Sequence, residues 1–265
     1  MHAKVKNAGE PLVLCEKKAG VATLRLNRPK QYNALSSDVL RELDAALAQQ
    51  ARDAAVRVVV IAANGPAFCT GHDLKEMMAN RTPQFIGDLF DRCADIMLTI
   101  QAMPQPVIAR VHGIATAAGC QLVAQCDLAV ASSDAKFATS GINLGLFCAT
   151  PGVPVSRNVA RKRAFEMLFT GEFIDAPTAL AWGLVNRVAP PERLDEEVRA
   201  LVATIVEKPA AVCAAGKKLF YQQIESKIDG AYKIASAAIT KNMLGEDAAE
   251  GVGAFIEKRK PNWRK

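Results

Sequence analysis

Apolar and polar positions alternate with period two over Leu12–Glu16 and again over Val21–Leu26, on either side of "KKAG", which predicts a β-hairpin. A turn-rich stretch, "NRPKQYNAL", comes next. Ser36 or Ser37 then caps a helix whose apolar positions Val39, Leu40, Leu43, Ala46 and Leu47 recur at helical spacing. The segment "VRVVVIAA" (56–63) is β-branched and almost continuously apolar, as expected of a strand buried on both faces of a parallel sheet. "NGPAFCTG" reads as a loop, "HDLKEMM" as a helix start, residues 85–102 as helix and 107–111 as strand. An Ala/Gly-rich helix is expected over 114–125, followed by "DLAVAS" as a strand and "AKFAT" as a short one. "RNVARKRAFEMLF", "APTALAWG" and "VNRVA" read as helix, helix and strand. From Pro191 onward the pattern is helical, with breaks near Pro209, Asp229–Gly230 and Gly245. Strands alternating with helices predict an α/β fold. Residues 1–195 are expected to form its core, and 196–265 a helical region that packs on the core or on another subunit.

Composition narrows the partners. Hydrophobic residues make up 50% of the 265, enough for a sizeable core, and charged residues at 23% argue against disorder. The net charge of +6 is mildly basic and suits an anionic small molecule. No block of Lys and Arg with interleaved aromatics occurs, so nucleic acid is not expected as a partner. Cys15, Cys69, Cys93, Cys120, Cys126, Cys148 and Cys213 form no CxxC and sit mostly in apolar surroundings, which predicts reduced thiols and a reducing compartment. The three histidines, His2, His72 and His112, are too few and too scattered for a metal site. "MHAKVKNAGE" has no apolar signal core, and no apolar run is long enough to span a membrane. The expectation is a cytoplasmic protein with no membrane partner, or one of an organelle matrix if the chain is a processed precursor.

Two segments share the order strand, small-residue turn, helix start: Ile61–Glu76 with "CTGHDLKEM", and Val111–Val123 with "HGIATAAGCQL". The first N–H groups of a helix have no partner within it, and the helix dipole adds positive charge there. Two such turns converging on one carbonyl oxygen would make an oxyanion hole. Small residues serve tight helix–strand packing equally well, so either segment alone leaves both readings open.

Together the segments carry a resemblance. "LNRPKQYNAL" (26–35), "AFCTGHDLKEM" (67–77), "VHGIATAAGCQLVAQCDLAVA" (111–131), "AFEMLFTGEFIDAPTALAWGLVNRV" (164–188) and "FIEKRKPNW" (255–263) resemble the signatures of the crotonase, or enoyl-CoA hydratase/isomerase, superfamily. That resemblance implies a spiral of ββα units with a C-terminal helical region, and a homotrimer or homohexamer. It implies an acyl-CoA or enoyl-CoA thioester ligand of fatty acid metabolism and no cofactor beyond the CoA moiety. The oxyanion donors it implies are the backbone N–H groups of His72 and Ala118. Lys75 matches a family lysine on the CoA phosphates. Lys258 and Lys260 match a basic C-terminal segment reaching the adenosine, and Arg28 is a further candidate for CoA.

The chain departs from the family where protons are handled. Hydratases of the family hold a water between two glutamates, one acting as base and the other as acid. The resemblance places Gln121 at the first of these positions and Gly141 at the second. An amide orients a water but does not titrate. No acid occurs between Ala135 and Arg163, and "FCATPGVPVS", with Pro151 and Pro154, replaces a glycine-rich turn. Ordinary hydration is therefore disfavoured. Other groups have structural readings beside chemical ones: Asp73 as a helix cap, Asp127 and His112 as hydrogen-bonders, Cys120 as a buried thiol. Glu76 is a second acid in the first loop, and Ser140 has no matching base. The His72 side chain is either a proton carrier or a loop residue. Two functions stay open: an enzyme of the lyase or isomerase class that stabilises a thioester enolate, or a non-catalytic CoA-thioester-binding or assembly protein.

Overall fold

The computed structural model describes residues 10–263, so His2 and most of the "MHAKVKNAGE" segment lie outside it. Strands β1 (Val13–Lys18) and β2 (Val21–Leu26) pair antiparallel, with Lys18 opposite Val21. The two-residue turn between them, Ala19–Gly20, has φ of 49° and 79°. Two successive positive φ values match the right-handed twist of a tight hairpin. Strands β3 (Val58–Ala63), β5 (Val107–Val111), β7 (Leu128–Ser132) and β10 (Arg187–Ala189) then add in parallel, giving the order β1-β2-β3-β5-β7-β10. All six residues of β3 are buried, as its unbroken apolar run predicts.

A second sheet departs from the sequence reading. Strands β4 (Ala67–Cys69), β6 (Ile114–Thr116), β8 (Lys136–Ala138) and β9 (Ile174–Asp175) are two or three residues each and lie in that order. Thus "AFC" is a strand where a loop is expected, and 114–116 is a strand where a helix is expected. A three-residue strand is too short to display a period. Parallel pairing of β6 with both β4 and β8 makes it a strand. Helix α4 accordingly starts at Ala118 and runs to Gln125.

Helix α1 (Ser37–Arg52) is capped by Ser36, whose side chain accepts a hydrogen bond from the Val39 N–H, and it buries Val39, Leu40, Leu43 and Leu47. Helices α2 (Leu74–Ala79) and α3 (Pro83–Ala102) follow β4. The helix expected near 157–169 is two, α5 (Ala149–Asn158) and α6 (Arg161–Thr170), with extended backbone at Val159 between them. Pro151 stands in the first turn of α5, where a missing N–H costs nothing, whereas Pro154 lies inside it. Helix α7 (Ala176–Ala181) precedes β10.

Helix α8 (Leu194–Val206) lays Leu194, Val198 and Val202 on Val58, Val60, Ile108 and Val130 of the large sheet. The expected division at residue 195 falls within this helix. Beyond it, α9 (Ala210–Ile224), α10 (Ile228–Met243) and α11 (Glu246–Ile256) bury only Ala231 and Ala254 among their described side chains. The break before α10 is at 225–227, slightly ahead of Asp229–Gly230, and those two residues occupy the first turn of the helix. One charged anchor ties α9 to the core. Lys217 Nζ donates to Asp127 Oδ2 (2.6 Å), Ile100 O (2.7 Å) and Gln105 O (2.9 Å). Asp127 also accepts from Tyr221 Oη and from the Val107 N–H. Asp127 is thus a structural hydrogen-bonder.

Candidate functional site

The two segments singled out in the sequence meet. Gly71, with φ of 91°, lies against the start of α4: a Cβ on it would stand 2.9 Å from Ala117 Cβ and 3.3 Å from Ala118 N. Gly119 presses on β4 so closely that a Cβ there would be 2.1 Å from Cys69 O. These two glycines let the His72 peptide and the first turn of α4 lie side by side. Among the described residues, no hydrogen bond is made by the His72 or the Ala118 N–H. Backbone hydrogen bonds on either side fix the chain around them. The Leu35 N–H donates to Gly71 O (2.8 Å), the Asp73 N–H to Leu35 O (3.1 Å), and the Ala117 N–H to Ala138 O (3.0 Å). Ala117 itself has φ of 50° and ψ of −121°, outside the ordinary regions for a residue with a side chain. Such a conformation costs on the order of 1–3 kcal/mol and persists only where neighbours enforce it.

Asn33 holds this arrangement from beneath and was not among the sequence candidates. Its amide is buried, accepts from the Arg28 N–H and donates to Asn64 O and Ala67 O at 2.8 Å each. It stands within the "NRPKQYNAL" motif, which is the signal that could have found it.

His72 and Ala118 both border a cavity of about 540 Å³. Its wall includes Leu74 and Met77 from α2, Phe90 from α3, and Leu144, Leu146 and Phe147 from the turn before α5. No aspartate, glutamate, lysine or arginine lines it among the described residues. The His72 ring stacks edge-on to Phe90 (centroids 4.8 Å, 71° between planes), and burial pulls its pKa down to about 4. Nothing in the sequence announces Phe90, because only the path of α3 brings it there.

The remaining candidates divide. Gly141 is in the wall, and its N–H donates to Cys148 Sγ (3.3 Å). A Cβ at Gly141 would lie 2.6 Å from Leu146 O and 2.8 Å from Cys148 Sγ, so this position admits no side chain unless the turn moves. Gln121 is buried in α4, one turn from Ala118, and its Oε1 has no hydrogen-bond partner. Arg28 is occupied within the chain, donating to Ala34 O and to Asp73 Oδ2. Asp73 in turn caps α2 through the Lys75 and Glu76 N–H groups. Glu76 Oε2 accepts from the Ser37 N–H at the start of α1. Lys75 is exposed between two cavity-lining residues, Leu74 and Met77. Lys258 and Lys260 follow α11, and among the described residues none beyond Pro151 lines the cavity. His112 Nε2 bonds to Gly65 O (2.7 Å) beside the turn. Cys120 is fully buried, and burial pushes its thiol up to about 12.

Comparison with known proteins places the chain in a family. The model of the "Enoyl-CoA hydratase/isomerase" family matches residues 16–265. The chain belongs to the enoyl-CoA hydratase/isomerase family. It is 45% identical over 253 residues to "Enoyl-CoA hydratase domain-containing protein 3, mitochondrial" of Xenopus laevis, covering 96% of this chain and 86% of that protein. Identity to the Homo sapiens protein of the same name is 44% over 244 residues, covering 92% and 80%. A solved enoyl-CoA hydratase of Mycobacterium smegmatis superposes with a TM-score of 0.95 at 58% identity, covering 97% of this chain and all of that one. The solved human enoyl Coenzyme A hydratase domain-containing protein 3 gives 0.93 at 42%, covering 95% and 100%. The enoyl-CoA hydratase/isomerase fold, with its C-terminal helical region, is therefore that of this chain.

Proposed function

We propose that the chain binds acyl-CoA or enoyl-CoA thioesters and polarises the thioester carbonyl between the backbone N–H groups of His72 and Ala118. The observation that carries this reading is the pair of unpartnered N–H groups at touching turns, opening on a large apolar cavity. A thioester oxygen gains negative charge as its α-carbon loses a proton. Fixed donors in a dry site hold that charge without reorganising, and one such donor is typically worth about 10²–10³ in rate. The cavity suits an uncharged acyl group. Lys75 at its border suits a CoA phosphate, and Lys258 and Lys260 suit the adenosine end on a neighbouring subunit. Arg28 serves this site by holding Asp73, and through it the start of α2. No cofactor other than the CoA of the ligand is required.

Hydration of the family's usual kind is not part of the proposal. Gln121 and Gly141 stand where the resemblance places the glutamates, and among the described residues the cavity wall supplies no other carboxylate. That observation favours a second reading, a CoA-thioester-binding protein without turnover. Calorimetry of the full chain with butyryl-CoA and crotonyl-CoA, joined to mass spectrometry of the products, separates the two. Binding with a product other than the hydrate supports an enzyme, and binding with no product supports the binder. Absence of binding, or rapid hydration of crotonyl-CoA, refutes the assignment.

A homotrimer or homohexamer is part of the same reading. It is supported by the apolar side chains on the last helices, among them Leu244 and Phe255, which are 83% and 85% exposed in the single chain. Seven free cysteines suit a reducing compartment, either cytoplasm or organelle matrix. The mitochondrial naming of the Xenopus and human relatives supports the matrix. Among the described residues no helix is long and apolar enough to cross a membrane.

A further inference from the structure

The reading above uses the backbone N–H of His72 and leaves its side chain without a task. His72 borders the cavity, its ring is edge-on to Phe90 of the same wall, and its Nε2 is enclosed without a hydrogen-bond partner among the described residues. No charged group of the wall faces it, and burial keeps the ring neutral at physiological pH. A neutral imidazole carries one N–H and one lone pair. Enclosing an unbonded N–H is rarer, and costlier, than enclosing an unbonded acceptor. The proton therefore belongs on Nδ1 rather than on the enclosed Nε2. Of the other polar side chains of the wall, Ser140 Oγ is engaged with Thr116 Oγ1 (2.7 Å), Thr70 Oγ1 with Tyr32 O (3.3 Å), and Cys148 Sγ with the Gly141 N–H, which leaves Thr150 as the rival donor.

We infer that His72 is a specificity residue whose Nδ1–H donates to an oxygen on C3 of the acyl group, so that the site prefers a 3-oxygenated acyl-CoA to its saturated counterpart. The inference rests on the CoA-thioester reading. The choice of C3 is part of the inference and rests on connectivity: the residue whose N–H would hold the thioester oxygen also carries the ring, which puts the ring near the first carbons beyond the carbonyl. A neutral hydrogen bond of this kind changes affinity by about three- to tenfold.

The test is calorimetry of the full chain with butyryl-CoA and acetoacetyl-CoA, for the wild type, His72→Phe, His72→Asn and Thr150→Val. The wild type is expected to bind acetoacetyl-CoA about three- to tenfold more tightly. In His72→Phe the ratio falls to about one, whatever happens to absolute affinity, because the ring is replaced and the donor removed. His72→Asn, which keeps a donor, restores part of the ratio. A wild-type ratio of one overturns the inference without any variant. A ratio unchanged in His72→Phe, or lost in Thr150→Val instead, overturns it too. If neither thioester binds the wild type, the CoA-thioester reading fails and this inference fails with it.

Discussion

Replacing Gly119 by alanine adds one methyl group at the point where α4 presses on β4. In the native structure that methyl carbon would stand 2.1 Å from Cys69 O, 2.7 Å from Cys69 C and 2.9 Å from Cys69 Cβ. Two of these three atoms are backbone in a strand paired with β6, so no rotamer change relieves the clash. The helix start must move, carrying the Ala118 N–H away from the His72 N–H. Overpacking of a closed core costs about 1–3 kcal/mol, and a clash with main chain belongs at the upper end. At about 2–4 °C per kcal/mol for a chain of this size, the melting temperature should fall by about 6–12 °C. Butyryl-CoA affinity should fall with it. The control is Gly216→Ala in α9, where an added Cβ meets nothing within 4 Å. Alanine there should raise stability by about 0.5–1 kcal/mol through helix propensity. Calorimetric melting of both variants, with titration of butyryl-CoA into each, is the assay. A Gly119→Ala protein that melts with the wild type and binds as tightly refutes the argument that the two turns touch.

Three further outcomes follow from other parts of the molecule. Lys217→Met leaves the Asp127 carboxylate buried without its cation, which should cost about 3–5 kcal/mol in urea unfolding. Adding Asp127→Asn should recover part of that loss, and equal stability of the single and double variants argues against the pairing. His72 has its folded pKa pulled down by burial from the ordinary 6.5 to about 4. Between those values the unfolded chain binds the proton and the folded chain does not, so the contribution is complete above pH 6.5 and is lost as pH falls toward 4. From pH 7.5 to pH 5 the wild type should lose about 2 kcal/mol more than His72→Phe, and parallel urea midpoints for the two would contradict it. Finally, succinyl-CoA should bind more weakly than butyryl-CoA, because among the described residues no lysine or arginine of the cavity wall meets its free carboxylate. Equal affinities by calorimetry would place the acyl group elsewhere.

Much of the site was legible because its parts are local. Asp73 as a cap, a serine cap at 36 or 37 and β3 as a buried parallel strand follow from neighbours within a few residues, where propensity and period act directly. The family signatures likewise sit in contiguous stretches, and they point to His72, Ala118, Gln121 and Gly141. The second sheet was not legible, since β4, β6, β8 and β9 owe their state to partners far along the chain. Phe90 and Asn33 were missed for related reasons: α3 carries Phe90 to the cavity, and Asn33 acts through carbonyls 31 and 34 residues away.

The sequence by itself determined the alternation of strands and helices, the absence of an acid at 121 and 141, and the two small-residue turns, because each is a property of residue type and short-range spacing. Tertiary structure alone decided that Gly71 and Gly119 let those turns touch, that Gly141 has no room for a side chain, and that Arg28 belongs to Asp73. Those are facts of distance between segments separated by tens of residues, and close packing fixes such distances only after the whole chain has collapsed around them.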